Sequence, residues 1–192
     1  MTASQPGAVS PVPERLHTVT PRLVVADGAA AIAFYAKAFG AEEVGERFTG
    51  PGGELIHAEI RIGDSIVMLT EDAVDGPVSS PPRLAGMVTC VMALYWQDVD
   101  TAWQRAVSAG AEVVYPLEDQ FYGERGGRLR DPFGQQWMMS QHVEDVPAQE
   151  MARPPTSATG HARKFAGMAV MLPARGPGRV AGADRGWQVA GV

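Results

Sequence analysis

The stretch Val19 to Glu42, VTPRLVVADGAAAIAFYAKAFGAE, decides the fold, because it holds a strand, a helix start, a helix and a helix stop in order. Val19 to Val25 is a β-rich run followed by Asp27, whose carboxylate is suited to the free N–H groups of a helix start. Ala29 to Phe39 then places Ile32, Tyr35, Ala36 and Phe39 at helical spacing on one face. Gly40 stops the helix, since Gly takes the left-handed conformation without steric cost. Working outward, Ala41 to Phe48, Leu55 to Ile62 and Ser65 to Thr70 read as strands, divided by Gly50-Pro51-Gly52-Gly53 and by Gly63-Asp64. Ile56, Ala58, Ile60 and Ile62 alternate along the middle strand. The unit is strand, helix, strand, strand, strand.

After a loop from Glu71 to Gly86 the same order returns. Met87 to Trp96 reads as a strand, Asp98 as a cap, Thr101 to Ala109 as a helix closed by Gly110, and Glu112 to Leu117, Gly127 to Arg130 and Gln136 to Ser140 as strands. Gly40-Ala41-Glu42-Glu43-Val44 recurs 70 residues later as Gly110-Ala111-Glu112-Val113-Val114. Two copies at so long a period make an internal duplication, not a solenoid. One helix per module covers only one face of its sheet. The expected class is therefore α+β: two tandem βαβββ modules, 17–72 and 87–142, forming a curved cup-shaped sheet with helices outside. The open concave face is a natural small-molecule site.

Composition agrees with one such body between two arms. The 192-residue chain is 45% apolar and carries a formal charge of −6, with a single Cys, which excludes an intramolecular disulfide framework. Residues 17–142 hold 9 basic and 17 acidic side chains, whereas 143–192 hold 6 and 4. An acidic body repels phosphate backbones, so no nucleic-acid partner is expected. Neither a membrane span nor a signal-peptide plan is present in the sequence, and the expected location is cytoplasmic, with no membrane partner. Residues 1–16 and the Pro-, Gly-, Ala- and Arg-rich 146–192 read as disordered arms; Phe165 to Leu172 is a short apolar patch in the second.

The tandem units, with D-x-x-x-A-I-x-F-Y-x-x-A-F-G-A-E at Asp27 to Glu42, resemble the vicinal oxygen chelate superfamily of glyoxalases, bleomycin-resistance proteins and extradiol dioxygenases. HAEIRIGDSIVML at 57–69 and PLEDQFYGERGGRLRDPFGQQW at 116–137 look closest to its PhnB-like branch. The resemblance covers about residues 17–145 and implies a homodimer.

Metal-dependent members of that family hold their ion with His, Glu and Gln on four inner strands. Carried over by local motif, those positions fall on Thr20, Met68, Val91 and Met138. A shift of one residue gives Pro21, Leu69, Met92 and Met139, again without ligands. Thioether and alkyl groups do not hold hard cations, so no cofactor is expected and the ligand would meet an apolar, Met-rich lining. Trp96, Trp137, Phe121 and Tyr122 are candidate aromatic walls, and 119–125, bounded by Gly126-Gly127, is a candidate lid. The primary reading is a metal-independent binding protein of the bleomycin-resistance, sequestering type, with no catalytic residue assigned. The alternative is a glyoxalase-like lyase or isomerase, or a dioxygenase, with a divalent metal on relocated ligands: His57 and Glu59, which share a strand face, joined by Glu71 or Glu124. Against that alternative, His57 and Glu59 also read as half-exposed residues paired with Arg47 or Arg61. Cys90 reads as a buried small hydrophobe.

Overall fold

A computed structural model describes residues 10–72 and 78–151. The order is β1 (Arg22–Val25), α1 (Gly28–Phe39), β2 (Glu42–Thr49), β3 (Leu55–Ile62), β4 (Ser65–Glu71), a 3-10 turn (Pro81–Leu84), β5 (Val91–Tyr95), α2 (Val99–Ala109), β6 (Glu112–Asp119), β7 (Glu124–Arg130), β8 (Gln136–His142) and the short α3 (Ala148–Met151). Two four-stranded sheets run β1-β4-β3-β2 and β5-β8-β7-β6, each with one parallel pair, β1–β4 or β5–β8. This is the expected α+β pair of βαβββ modules. Among the described residues no strand pairs between the two sheets.

The caps lie where the sequence put them. Asp27 accepts from the Ala30 N–H at 2.9 Å, and Asp98 from the Thr101 N–H at 3.0 Å. Gly40 and Gly110 end the helices at positive φ, 67° and 113°. Replacing Asp27 by Ala is expected to cost about 1 kcal/mol of stability, read by urea denaturation.

Two strands are shorter than the sequence suggests. β1 begins after Pro21, which has no N–H to donate, though its carbonyl accepts from Met68 at 2.9 Å. β5 begins at Val91, because its one neighbour, β8, begins at Gln136 opposite. Cys90 is thereby left in the preceding loop and is exposed, not buried. Gly126 and Gly127 lie inside β7 and do not bound a lid. A Cβ on Gly127 would lie 2.6 Å from the Trp103 ring of α2 and 2.9 Å from the Leu117 nitrogen, so helix and sheet meet here only over glycine. Residues 1–9 and 152–192, with the Phe165 to Leu172 patch and His161, lie outside the described residues. Ala148–Met151 forms a short helical segment just beyond 146.

Helix α1 is buried more widely than a single stripe. Ala31, Ile32, Phe34, Tyr35, Ala38 and Phe39 are all buried, while Ala36 is exposed. The cause is that α1 packs on its own sheet and also on the second module. Phe133 lies at ring-centroid distances of 6.0 Å from Phe34 and 6.2 Å from Tyr35, and Trp137 lies 4.8 Å from Phe39. Gln135 Nε2 donates to the Val24 carbonyl at 3.1 Å. Arg105 of α2 donates to the Ala38 carbonyl at 2.9 Å. The core is thus one body, with the two helices packed together and the opposite faces of both sheets left open.

Beneath that packing lies a buried carboxylate. Asp131 is 3% exposed. Its Oδ2 accepts from the Tyr35 hydroxyl at 2.8 Å and from Trp137 Nε1 at 2.9 Å, while Oδ1 accepts from the Phe133 and Gln135 N–H groups, each at 2.9 Å. Burial raises the Asp131 pKa above the ordinary carboxylate value, and these hydrogen bonds oppose the rise. The same burial, with Asp131 close by, pushes the Tyr35 hydroxyl well above its usual range.

Candidate functional site

Directly opposed residues of neighbouring strands share a face, so the registers define the open surfaces row by row. In the first sheet one row runs Arg22, Met68, Glu59, Val44, and the next pairs Phe48 with His57. In the second sheet the rows are Val91, Gln136, Arg130, Glu112 and Ala93, Met138, Arg128, Tyr115. Met68 and Met138, 70 residues apart, hold equivalent places. The duplication therefore sets a carboxylate, Glu59, beside Met68 where it sets a guanidinium, Arg128, beside Met138.

The first face is built around Glu59, a residue only 5% exposed. Arg15 clasps its carboxylate with two contacts, Nε to Oε2 at 2.7 Å and Nη2 to Oε1 at 3.2 Å. His57 Nε2 stands 3.5 Å from Oε1, and the Phe48 ring lies 6.0 Å from the imidazole. Hydrogen bonding from Arg15 is the largest influence on Glu59 and holds its pKa below the ordinary carboxylate value, against the opposing effect of burial. The partners read from the sequence are otherwise engaged: Arg47 bonds Glu43, and Arg61 bonds Glu42. Arg15 precedes the body as the sequence delimits it, and nothing local in the sequence joins it to a residue 44 positions later.

On the second face the Arg128 guanidinium lies over the Tyr115 ring at 5.3 Å, and Arg130 pairs with Glu112 at 3.1 Å. The buried Nε atoms of Arg128 and Arg130 have no hydrogen-bond partner among the described residues. Tyr95 donates to Glu124 at 2.8 Å, which raises the Tyr95 pKa. Arg125 ties Asp100 to Asp119 at 2.7 and 3.0 Å. The candidate lid reduces to the turn between β6 and β7, where Phe121 and Tyr122 are exposed with their rings edge to face at 5.3 Å.

Of the candidate lining, Met68, Val91 and Met138 are half-buried on the open faces, and Thr20 is half-buried two residues before Arg22. Trp137 is not a wall of the cup. It is wholly buried on the helix side, where its N–H serves Asp131. Trp96 also joins the core side, with Arg105 5.5 Å above its ring and its Nε1 without a partner among the described residues. Met139 is buried in the core, and Met92 packs against it.

The donor set does not fit a divalent ion. Thr20, Met68, Val91 and Met138 offer one hydroxyl, two thioethers and an alkyl group, where such an ion takes imidazole and carboxylate. His57 and Glu59 supply two adjacent donors, but Glu71 is drawn off to the Gly28 N–H at 2.7 Å and Glu124 to Tyr95. Among the described residues no three His, Cys, Asp or Glu side chains converge as a metal site.

The family model described as the Glyoxalase/Bleomycin resistance protein/Dioxygenase superfamily matches residues 15–139. The chain belongs to this superfamily. Within the glyoxalase superfamily it is 46% identical over 135 residues to uncharacterized protein Mb0911c of Mycobacterium bovis, covering 69% of this chain and 88% of that one. TioX from Micromonospora sp. ML1 is 30% identical with a TM-score of 0.52, over 65% of this chain and 97% of TioX. The PhnB protein from Bacillus cereus shares the fold, at 18% identity and a TM-score of 0.50, over 65% of this chain and 99% of that one. No helix among the described residues is long and apolar enough to cross a membrane.

Proposed function

We propose that this glyoxalase-superfamily chain is a metal-independent small-molecule-binding protein of the sequestering, bleomycin-resistance type. The observation that carries the reading is the set Thr20, Met68, Val91 and Met138, which gives a divalent ion nothing to bind. Met side chains instead adapt to an irregular or planar ligand, and Phe121 and Tyr122 offer exposed rings in the turn between β6 and β7. The motifs at 57–69 and 116–137 support a place in the PhnB-like branch. The family resemblance supports a homodimer, with an open face of one protomer closed by its partner, and the sequence's lack of a membrane span or signal-peptide plan supports a cytoplasmic location.

Elemental analysis of the purified protein tests the metal question directly. Sub-stoichiometric Mn, Fe, Ni and Zn is the expected result, with a melting temperature unmoved by chelator. A stoichiometric metal, lost in the His57→Ala, Glu59→Ala double variant, would instead support the lyase, isomerase or dioxygenase alternative. A thermal-shift screen of aromatic antibiotics and metabolites then seeks the ligand. At 100 times its dissociation constant a true ligand adds about 2.7 kcal/mol of stability.

A further inference from the structure

Glu59 is an unusual residue to find nearly buried on an open sheet face, in a row with Arg22, Met68 and Val44. Taking an ionised carboxylate this far from water is unfavourable unless a cation engages it. The cation it has comes from outside the module. Arg15 sits before β1, in a segment that joins no strand, and its side chain is 55% exposed while that of Glu59 is 6% exposed. The buried half of the pair belongs to the sheet, and the exposed half belongs to a strap laid over it.

The contact has the shape of ligand recognition. A planar guanidinium meets both carboxylate oxygens side by side, the fork geometry that also suits an amidinium. Around that fork Met68 lies beside Glu59 in the sheet and the Phe48 ring is tilted against His57, with Arg22 one strand further along the row. The arginines of this sheet are held elsewhere, Arg47 by Glu43, Arg61 by Glu42 and Arg22 by the Ile56 carbonyl at 2.8 Å, and do not compete for the position.

We infer that Glu59, flanked by His57, Phe48 and Met68, is a recognition site for the planar amidinium or guanidinium group of a small ligand, and that Arg15 is its built-in competitor. This rests on the binding-protein reading above and names the ligand's chemical class. Arg15 then acts as a pseudo-ligand: the open site is available only in the fraction of molecules whose strap has lifted, and the apparent affinity falls by that fraction.

The test titrates the full chain with benzamidine, and with benzamide as a neutral counterpart of the same shape, following affinity by calorimetry and folding by melting temperature. Arg15→Ala is expected to bind benzamidine about tenfold more tightly than the native chain, as a competitor present in most molecules requires. Glu59→Gln is expected to weaken benzamidine about tenfold or more, the loss of a charge-assisted pair. Benzamide, which has no charge for Glu59 to pair, is expected to bind Arg15→Ala at least about tenfold more weakly than benzamidine does. An Arg15→Ala variant with no gain for benzamidine, or one that binds benzamide as tightly as benzamidine, overturns the proposal. If Glu59→Gln fails to fold, the Arg15→Ala comparison alone decides. Benzamidine and benzamide binding alike, whatever the residue at 59, would sink this inference and leave the binding-protein reading standing. Failure of every aromatic probe to bind any form would sink both.

Discussion

Replacing Asp131 by Ala is expected to remove about 3–5 kcal/mol of unfolding free energy. The Tyr35 hydroxyl and the Trp137 N–H would both be left buried without an acceptor, and each such group costs about 1–3 kcal/mol. The Phe133 and Gln135 N–H groups lose their acceptor too, so the turn that carries Phe133 against α1 is released at the same time. Urea denaturation measures the loss, and Asp131→Asn, which keeps the size and one carbonyl acceptor, should recover part of it. A loss under about 1 kcal/mol for Asp131→Ala would show that the link is dispensable.

The same residue gives a pH signature of defined sign. Its native-state pKa is raised, chiefly by burial, so the folded chain holds this proton more tightly than the unfolded chain does. The stability it contributes is greatest below the ordinary pKa of 3.8 and declines as pH rises through the raised folded value. Asp131→Asn does not titrate, so the native-minus-variant stability difference should fall with rising pH across that window. A difference that rises instead would mean that the four hydrogen bonds outweigh burial.

Gly123→Ala is the second large effect, at about 2–4 kcal/mol with displacement of the aromatic turn. Gly123 has φ of 88°, which costs a side-chain-bearing residue about 1–3 kcal/mol. A Cβ there would also lie 2.0 Å from the Glu144 carbonyl oxygen, a backbone atom that cannot swing aside. The Gly123 carbonyl in turn accepts from the Val143 and Glu144 N–H groups at 3.0 and 3.1 Å, fastening the turn to the chain after β8. Near-ultraviolet circular dichroism of Phe121 and Tyr122, followed beside the melting temperature, separates loss of the turn from loss of the fold. Unchanged values for both would refute the clash.

Local chemistry made much of the fold legible. Asp27 and Gly40, like Asp98 and Gly110, mark helix ends through contacts within a few residues, and the period-two strands follow from their own composition. Face assignment was harder. Alternation says that Gln136, Met138 and Ser140 share a side, but not which side meets the helices, so Trp137 passes for a wall of the cup until its N–H is found on Asp131. Phe34 and Ala38 were missed because the second module covers them, and a single-helix pattern does not register a second partner. The candidate site was partly legible: Met68, Val91, Met138, His57 and Glu59 do face outward. Arg15 was not, because its partner is 44 residues away. For Asp131, the signal available was a turn acid followed six residues later by a Trp able to donate to it.

The bond between Tyr35 and Asp131 spans 96 residues, and this sets the order of events when the chain is made. At about 5–20 residues per second of synthesis, α1 emerges roughly 5–20 s before the turn that will cover Phe34 and Tyr35. Through that interval the first module carries a bare aromatic flank that it has no means of closing by itself. Long-range closure of this kind slows folding, so the newborn first half keeps that apolar surface against water until its duplicate arrives.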